Sequence, residues 1–132
     1  MNSVSATINE VQTEGSLSMV SLQTASGMLS CIVIDTPDSC NYLQIGQVVE
    51  AIFKETEVAI AKKPLGEISL RNRIKGTIQQ IEQGKLLTRV SLDTASGIIN
   101  SVISSKSATE MQLAEGMEVL ALVKTNEIML AP

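Results

Sequence analysis

The feature that most constrains this chain is a tandem repeat. Displacing the sequence by 70 residues lays positions 2–61 on 72–131 without a gap, and 18 of those 60 pairs are identical. The run Val20-Ser21-Leu22-Gln23-Thr24-Ala25-Ser26-Gly27 returns as Val90 to Gly97 with one change in eight. Leu43, Gly46, Lys54 and Glu57 return as Leu113, Gly116, Lys124 and Glu127. About a dozen further pairs match apolar with apolar, clustered at the strand positions. A duplicated chain is built from two copies of one supersecondary unit, so each half checks the reading of the other. The repeat divides the sequence into a first module at residues 1–62, a linker at 63–69 containing Pro64 and Gly66, and a second module at 70–132.

Units of about 60 residues bury too little surface to be comfortable alone. The two copies are therefore expected to pack on one another, and several chains to pack together. Hydrophobic residues make up 44% of the sequence, yet Tyr42 and Phe53 are the only aromatic side chains. The core must be aliphatic. Val4–Val11, Leu17–Gln23, Met28–Ile34, Val48–Lys54 and Val58–Ala61 show the β-branched content and partial alternation of half-buried strands. The second copy repeats them at Ile74–Glu82, Leu86–Asp93, Ile98–Ser104, Glu118–Lys124 and Ile128–Ala131. Gly27 suits a positive-φ turn between strands. A short helical turn is expected after Thr36-Pro37-Asp38-Ser39 and a short helix over Lys106–Leu113. Gly46 and Gly116 end these turns, and Met111, Met117 and Met129 read as core filler. Short strands, turn signals and one helical turn per copy predict an all-β chain of two tandem OB-like small barrels.

The net charge of −4 and the scarcity of aromatics argue against a nucleic-acid partner. No apolar run reaches the roughly 18–20 residues of a membrane span, and the polar start lacks a secretory signal, so a cytoplasmic location without membrane attachment is expected. Cys31 and Cys40 occur only in the first copy and are expected to be reduced and structural. The absence of His removes the commonest general base and, with no CxxC pair, makes a transition-metal site improbable.

The second copy carries the motifs S-x-R-N-x-x-K-G-x-I at Ser69–Ile78, S-V-I-S at Ser101–Ser104, L-x-x-G ending at Gly116, and V-x-A-x-V-K-T-x-E-I-M at Val119–Met129. In this order and spacing they resemble the Mop family of small molybdate- or tungstate-binding proteins, the molbindins. The first copy follows the pattern more loosely, so the whole chain resembles a two-module form. The same module occurs as the effector domain of molybdate-responsive transcription regulators and, in related form, on some transporter ATPases. The resemblance implies a ligand set of Ser69, Arg71, Ser104, Ser107, the backbone of Ala108, and Lys124, with Lys54 as the surviving first-copy counterpart. It also implies sites shared between adjoining modules, commonly of different subunits, in a trimer or alternatively a dimer.

These residue types suit that chemistry. A tetrahedral dianion of oxygens needs several hydrogen-bond donors converging on a small volume, with enough positive charge to offset desolvation. Ser104, Ser105 and Ser107 gather hydroxyls and N–H groups where a strand hands over to a helix, Lys124 adds an ammonium, and Arg71 presents a fixed fork of donors. Each has a plainer reading. Ser104 to Ser107 suit a helix N-cap, Lys54 and Lys124 suit surface lysines ending apolar strands, and Arg71 suits a solvated strand start. In the first copy Met1, Ile34 and Pro37 stand where the second has Arg71, Ser104 and Ser107, with Thr36, Ser39 and Asn41 as local substitutes. Weaker first-copy pockets follow, with anions held mainly where Ser104, Ser107 and Lys124 line the site.

The expected function is non-enzymatic binding of molybdate or tungstate for storage or buffering, with no catalytic cofactor. A regulatory effector domain or transporter accessory domain is the alternative, although the chain holds no helix-turn-helix segment. An enzyme built on Glu55, Glu57 and Glu127 is disfavoured, because they read as a solvated loop.

Overall fold

The computed structural model describes all 132 residues. Ten strands form two five-stranded antiparallel sheets, the curled barrel architecture expected from the sequence. In the first copy these are β1 (Asn2–Glu14), β2 (Leu17–Thr24), β3 (Gly27–Val33), β4 (Val48–Phe53) and β5 (Ala59–Lys62). The second contributes β6 (Asn72–Gln83), β7 (Leu87–Thr94), β8 (Gly97–Ser104), β9 (Glu118–Val123) and β10 (Met129–Ala131). A short helix α1 (Ser105–Glu110) follows β8, and 3-10 turns at Glu55–Glu57 and Thr125–Glu127 precede the last strand of each copy. No helix is long and apolar enough to cross a membrane.

Sequence alternation sets which side chains face inward. Along β1, Asn2, Val4, Ala6 and Ile8 are buried while their neighbours are exposed, and β6 repeats this with Asn72, Ile74, Gly76 and Ile78. Both long strands carry a register shift at the same place, between Ile8 and Glu10 and between Ile78 and Gln80, which bends them into a barrel curl. Beyond the shift, Ile8 N–H donates to Gln47 O at 2.9 Å and Ile78 N–H to Met117 O at 2.9 Å. The Thr24–Gly27 and Thr94–Gly97 turns are closed alike: each Thr hydroxyl donates to the glycine carbonyl, at 2.7 and 2.6 Å, and each glycine has positive φ.

The sheets do not follow the repeat boundary. Their strand orders are β10-β4-β1-β2-β3 and β5-β9-β6-β7-β8. The last strand of each copy thus pairs with the fourth strand of the other, β5 with β9 and β10 with β4. Side-chain bonds related by the 70-residue offset secure the exchange. Asn2 accepts from Asn100 N–H and donates to its carbonyl, both at 2.8 Å, while Asn72 does the same to Ser30 at 2.7 and 2.8 Å. Ser26 and Ser96, counterparts of each other, share a hydroxyl hydrogen bond of 2.7 Å, which puts the pseudo-two-fold axis between them. One continuous cluster of 21 buried residues draws on both copies, with Phe53 its only aromatic member.

The first copy forms the short helical turn expected after Thr36, with Cys40 N–H donating to Thr36 O at 2.9 Å, and Thr36 N–H donates to Ser39 Oγ at 2.8 Å. Two expectations need correction. Met129 is not core filler: β10 adds to the edge of β4 and leaves that side chain 49% exposed. Glu55 is no solvated loop residue, since its side chain is only 20% exposed and ion-paired.

Cys31 and Cys40 are unbridged. Cys31 stands where the second copy has Ser101, whose hydroxyl donates to Val58 O at 2.7 Å. Burial pushes the Cys31 thiol up to about 12. Burial foremost, with a contribution from Cys40, also raises the Tyr42 phenol to about 12, and its hydroxyl donates to Leu130 O at 3.2 Å.

Two predictions follow from these contacts. Asn72→Ala leaves the backbone N–H and carbonyl of Ser30 without their partner, so urea unfolding should show a loss of roughly 2–3 kcal/mol. An unchanged midpoint would mean the clasp is incidental. Both raised groups keep their protons in the folded state after the unfolded chain has lost them, so stability should fall as pH rises from about 9 towards 12. Cys31→Ser, which installs the residue of the second copy, should flatten part of that fall in urea unfolding at pH 8 and 10.5. An equally steep fall in the variant would assign the effect elsewhere.

Candidate functional site

The strand exchange decides where the candidate oxyanion ligands lie. Asn72 pairs with Val123 at the end of the β6–β9 ladder, and Arg71 and Lys124 are the residues that lie just beyond this last pair on the two strands. Both are exposed, and neither has a carboxylate within ion-pair distance. Ser69 sits just before them in the linker, also exposed. The linker is pinned there by Arg73, which donates to Leu70 O at 3.0 Å and Ile68 O at 3.1 Å. Two uncompensated cations beside an exposed hydroxyl make an anion-receptive end.

Ser104, Ser107 and Ala108 gather elsewhere, at the start of α1. Ser104 is the N-cap: its Oγ accepts from Ser107 N–H at 3.1 Å and donates to Ser107 Oγ at 2.9 Å. The plainer role weighed for it is thus filled, yet both hydroxyls stay exposed. Ser105 is turned inward instead. Its Oγ donates to Gly84 O at 2.8 Å and shares a 2.8 Å bond with Thr88, which locks the strand-to-helix junction. Ala108 is buried beneath them.

Within one chain, the lysine facing this hydroxyl group is Lys54 and not Lys124. The 3-10 turn after Lys54 packs against β8, whereas the turn after Lys124 packs against β3. Lys54, Glu55, Thr56 and Met1 share a recess of about 290 Å³ with Val102, two residues short of Ser104. Lys54 has no ion pair, and its backbone N–H donates to Glu57 Oε1 at 3.2 Å. The chain therefore brings together Arg71 with Lys124, and Ser104 with Ser107 and Ala108, but holds these two groups at different ends. Lys124 instead neighbours the strand leading to Ile34, which is 79% exposed and offers no donor. Thr36 and Ser39, the possible substitutes there, are engaged with one another.

A pair that the sequence reading missed lies beside Lys54. Arg89 Nη1 is 3.4 Å from Glu55 Oε1. Nothing in the sequence links β7 to the turn after β4, because the contact exists only through the strand exchange. The largest recess, about 510 Å³ between Gln12 and Ile32, is lined by no cation and is unsuited to an anion.

Comparison with known proteins places this architecture. The TOBE domain matches residues 68–130. Molybdenum-pterin-binding protein 2 of Clostridium pasteurianum is 38% identical over 64 residues, which span 48% of this chain and 94% of that protein. The chain belongs to the Mop family. Molybdenum-pterin-binding protein MopA of Rhodobacter capsulatus is 41% identical over 64 residues, but those cover only 24% of its length. Among solved structures, the cytoplasmic molybdate-binding protein ModG with molybdate bound superposes with a TM-score of 0.90, covering 98% of this chain and 94% of that one at 24% identity. That likeness shows the fold, a tandem pair of Mop modules.

Proposed function

We propose that this chain binds molybdate, or the nearly identical tungstate, and serves to store or buffer it. The Mop relatives are named for binding molybdenum-pterin, and ModG, which shares the fold, is a molybdate-binding protein with molybdate bound; both support the reading. The observation that carries it is the Arg71–Lys124 end: two cations just beyond the last pair of the β6–β9 ladder, without carboxylate partners and with Ser69 two residues before Arg71. A dianion of four oxygens satisfies such a pair better than any group within the chain.

Because Ser104 and Ser107 lie at the other end, the proposed site is completed between chains. Ser69, Arg71 and Lys124 of one chain meet Ser104, Ser107 and the Ala108 backbone of a neighbour, and Lys54 flanks the latter group. Assembly into a closed ring, a trimer first and a dimer second, brings unlike ends together. Binding involves no covalent step, which accords with a carrier and not an enzyme.

Calorimetry with molybdate, tungstate and sulfate on the intact chain tests this. The first two should bind, and Arg71→Ala or Ser104→Ala/Ser107→Ala should each weaken binding by roughly 10- to 100-fold, the worth of one or two hydrogen bonds to a charged ligand. Unchanged affinity and stoichiometry in both variants would refute the assignment.

A further inference from the structure

The Arg89–Glu55 pair is a feature the repeat does not share. At the 70-residue offset these residues correspond to Met19 and Thr125, so the other end of the molecule holds a thioether and a hydroxyl in the same places. The flanking residues are kept, Lys54 as Lys124 and Glu57 as Glu127. A guanidinium and a carboxylate therefore occupy these two positions at one end only.

The surroundings give the pair a chemical context. Glu55 Oε1 faces Arg89 Nη1 at 3.4 Å, and Glu55 Oε2 accepts from the nitrogen of Met1 at 3.2 Å. Arg89 opposes Val102 in the β7–β8 ladder while Leu87 opposes Ser104. Arg89 and Ser104 are thus diagonal neighbours on one face, with Cα atoms roughly 7–8 Å apart, within reach of an arginine side chain. Val102 is common to the recess holding Lys54, Glu55 and Thr56 and to the one holding Leu87 and Arg89. Position 1, the counterpart of Arg71, is Met. The first copy lacks a guanidinium in sequence, but Arg89 supplies one in space.

Resting on the oxyanion reading above, we propose that Arg89 is a further oxyanion donor at the Ser104 end, and that Glu55 is an internal competitor for its guanidinium. A carboxylate and an oxyanion engage the same planar fork of donors. Glu55 occupies that fork when no ligand is present, and the anion must displace it. Ligand affinity at the joint is then set by the difference between two anions, which makes it weaker and more dependent on ligand charge than it would be without Glu55.

Titration of sodium molybdate into the full chain and its variants, with unfolding followed in parallel, tests the proposal. Arg89→Met should weaken molybdate binding by about tenfold or more, whereas Glu55→Gln and Glu55→Thr should tighten it. The double variant Glu55→Thr/Arg89→Met reproduces the pair of the other end, so it should fold, and should bind less tightly than Glu55→Thr alone. If the single variants alter stability together while molybdate affinity stays within about twofold, the pair is a structural ion pair and the proposal is overturned. If Glu55→Gln weakens binding as Arg89→Met does, the carboxylate positions the guanidinium and does not compete, which overturns it equally. Binding that is lost in Arg71→Ala but indifferent to residues 55 and 89 removes this inference alone. A chain that takes up no molybdate removes the oxyanion reading with it.

Discussion

The structure depends on the exchange of one strand. Each copy of the repeat supplies four strands to its own sheet and sends the fifth to the other, so neither sheet is complete without the whole chain. This relieves a difficulty that units of 60 residues have in burying enough apolar surface, because both halves feed one continuous aliphatic cluster. It also covers the outer edges of β4 and β9, which are otherwise open to pairing with another chain. Asn2 and Asn72, buried and doubly hydrogen-bonded across the junction, hold the exchange in register.

The exchange also partitions the polar chemistry. The 3-10 turns that carry Lys54 and Lys124 are the crossing segments, and each lies against the third strand of the opposite copy. The second copy keeps Arg71, Lys124 and Ser69 at one end and offers Ser104 and Ser107 at the other. Divergence between the copies then makes the ends unlike: Ile34 and Pro37 remove donors beside Lys124, while Arg89 and Glu55 add a charge pair beside Lys54. Dissimilar ends of this kind are what the proposed head-to-tail ring would join, with the proposed oxyanion sites at the joints.

Much of this fold was legible in the sequence, because its signals are local. Alternation along Val4 to Ile8 and Ile74 to Ile78, the Thr-Ala-Ser-Gly turns and the 70-residue repeat each have a period that reports backbone geometry directly. The strand exchange was not legible. Val58 to Ala61 reads as the same strand whether it pairs within its own copy or with β9, since pairing partner is a matter of long-range packing. Everything that depends on the exchange was hidden with it: the placement of Lys54 and not Lys124 beside Ser104, the half-burial of Glu55 and its contact with Arg89. Met129 was misread for a similar reason, since its hydrophobicity is visible in sequence but its position at a sheet edge is not.

The central claim, that Arg71 and Lys124 lie at a different end from Ser104 and Ser107 and meet them only between chains, has a direct test. Arg71→Ala chains and Ser104→Ala/Ser107→Ala chains, each defective in molybdate uptake, are mixed, unfolded and refolded together. The mixed assembly should recover roughly a quarter of the native binding capacity, the fraction of joints that combine two intact ends at random. If the mixture binds no more than either variant alone, the donors act within one chain and the account is contradicted.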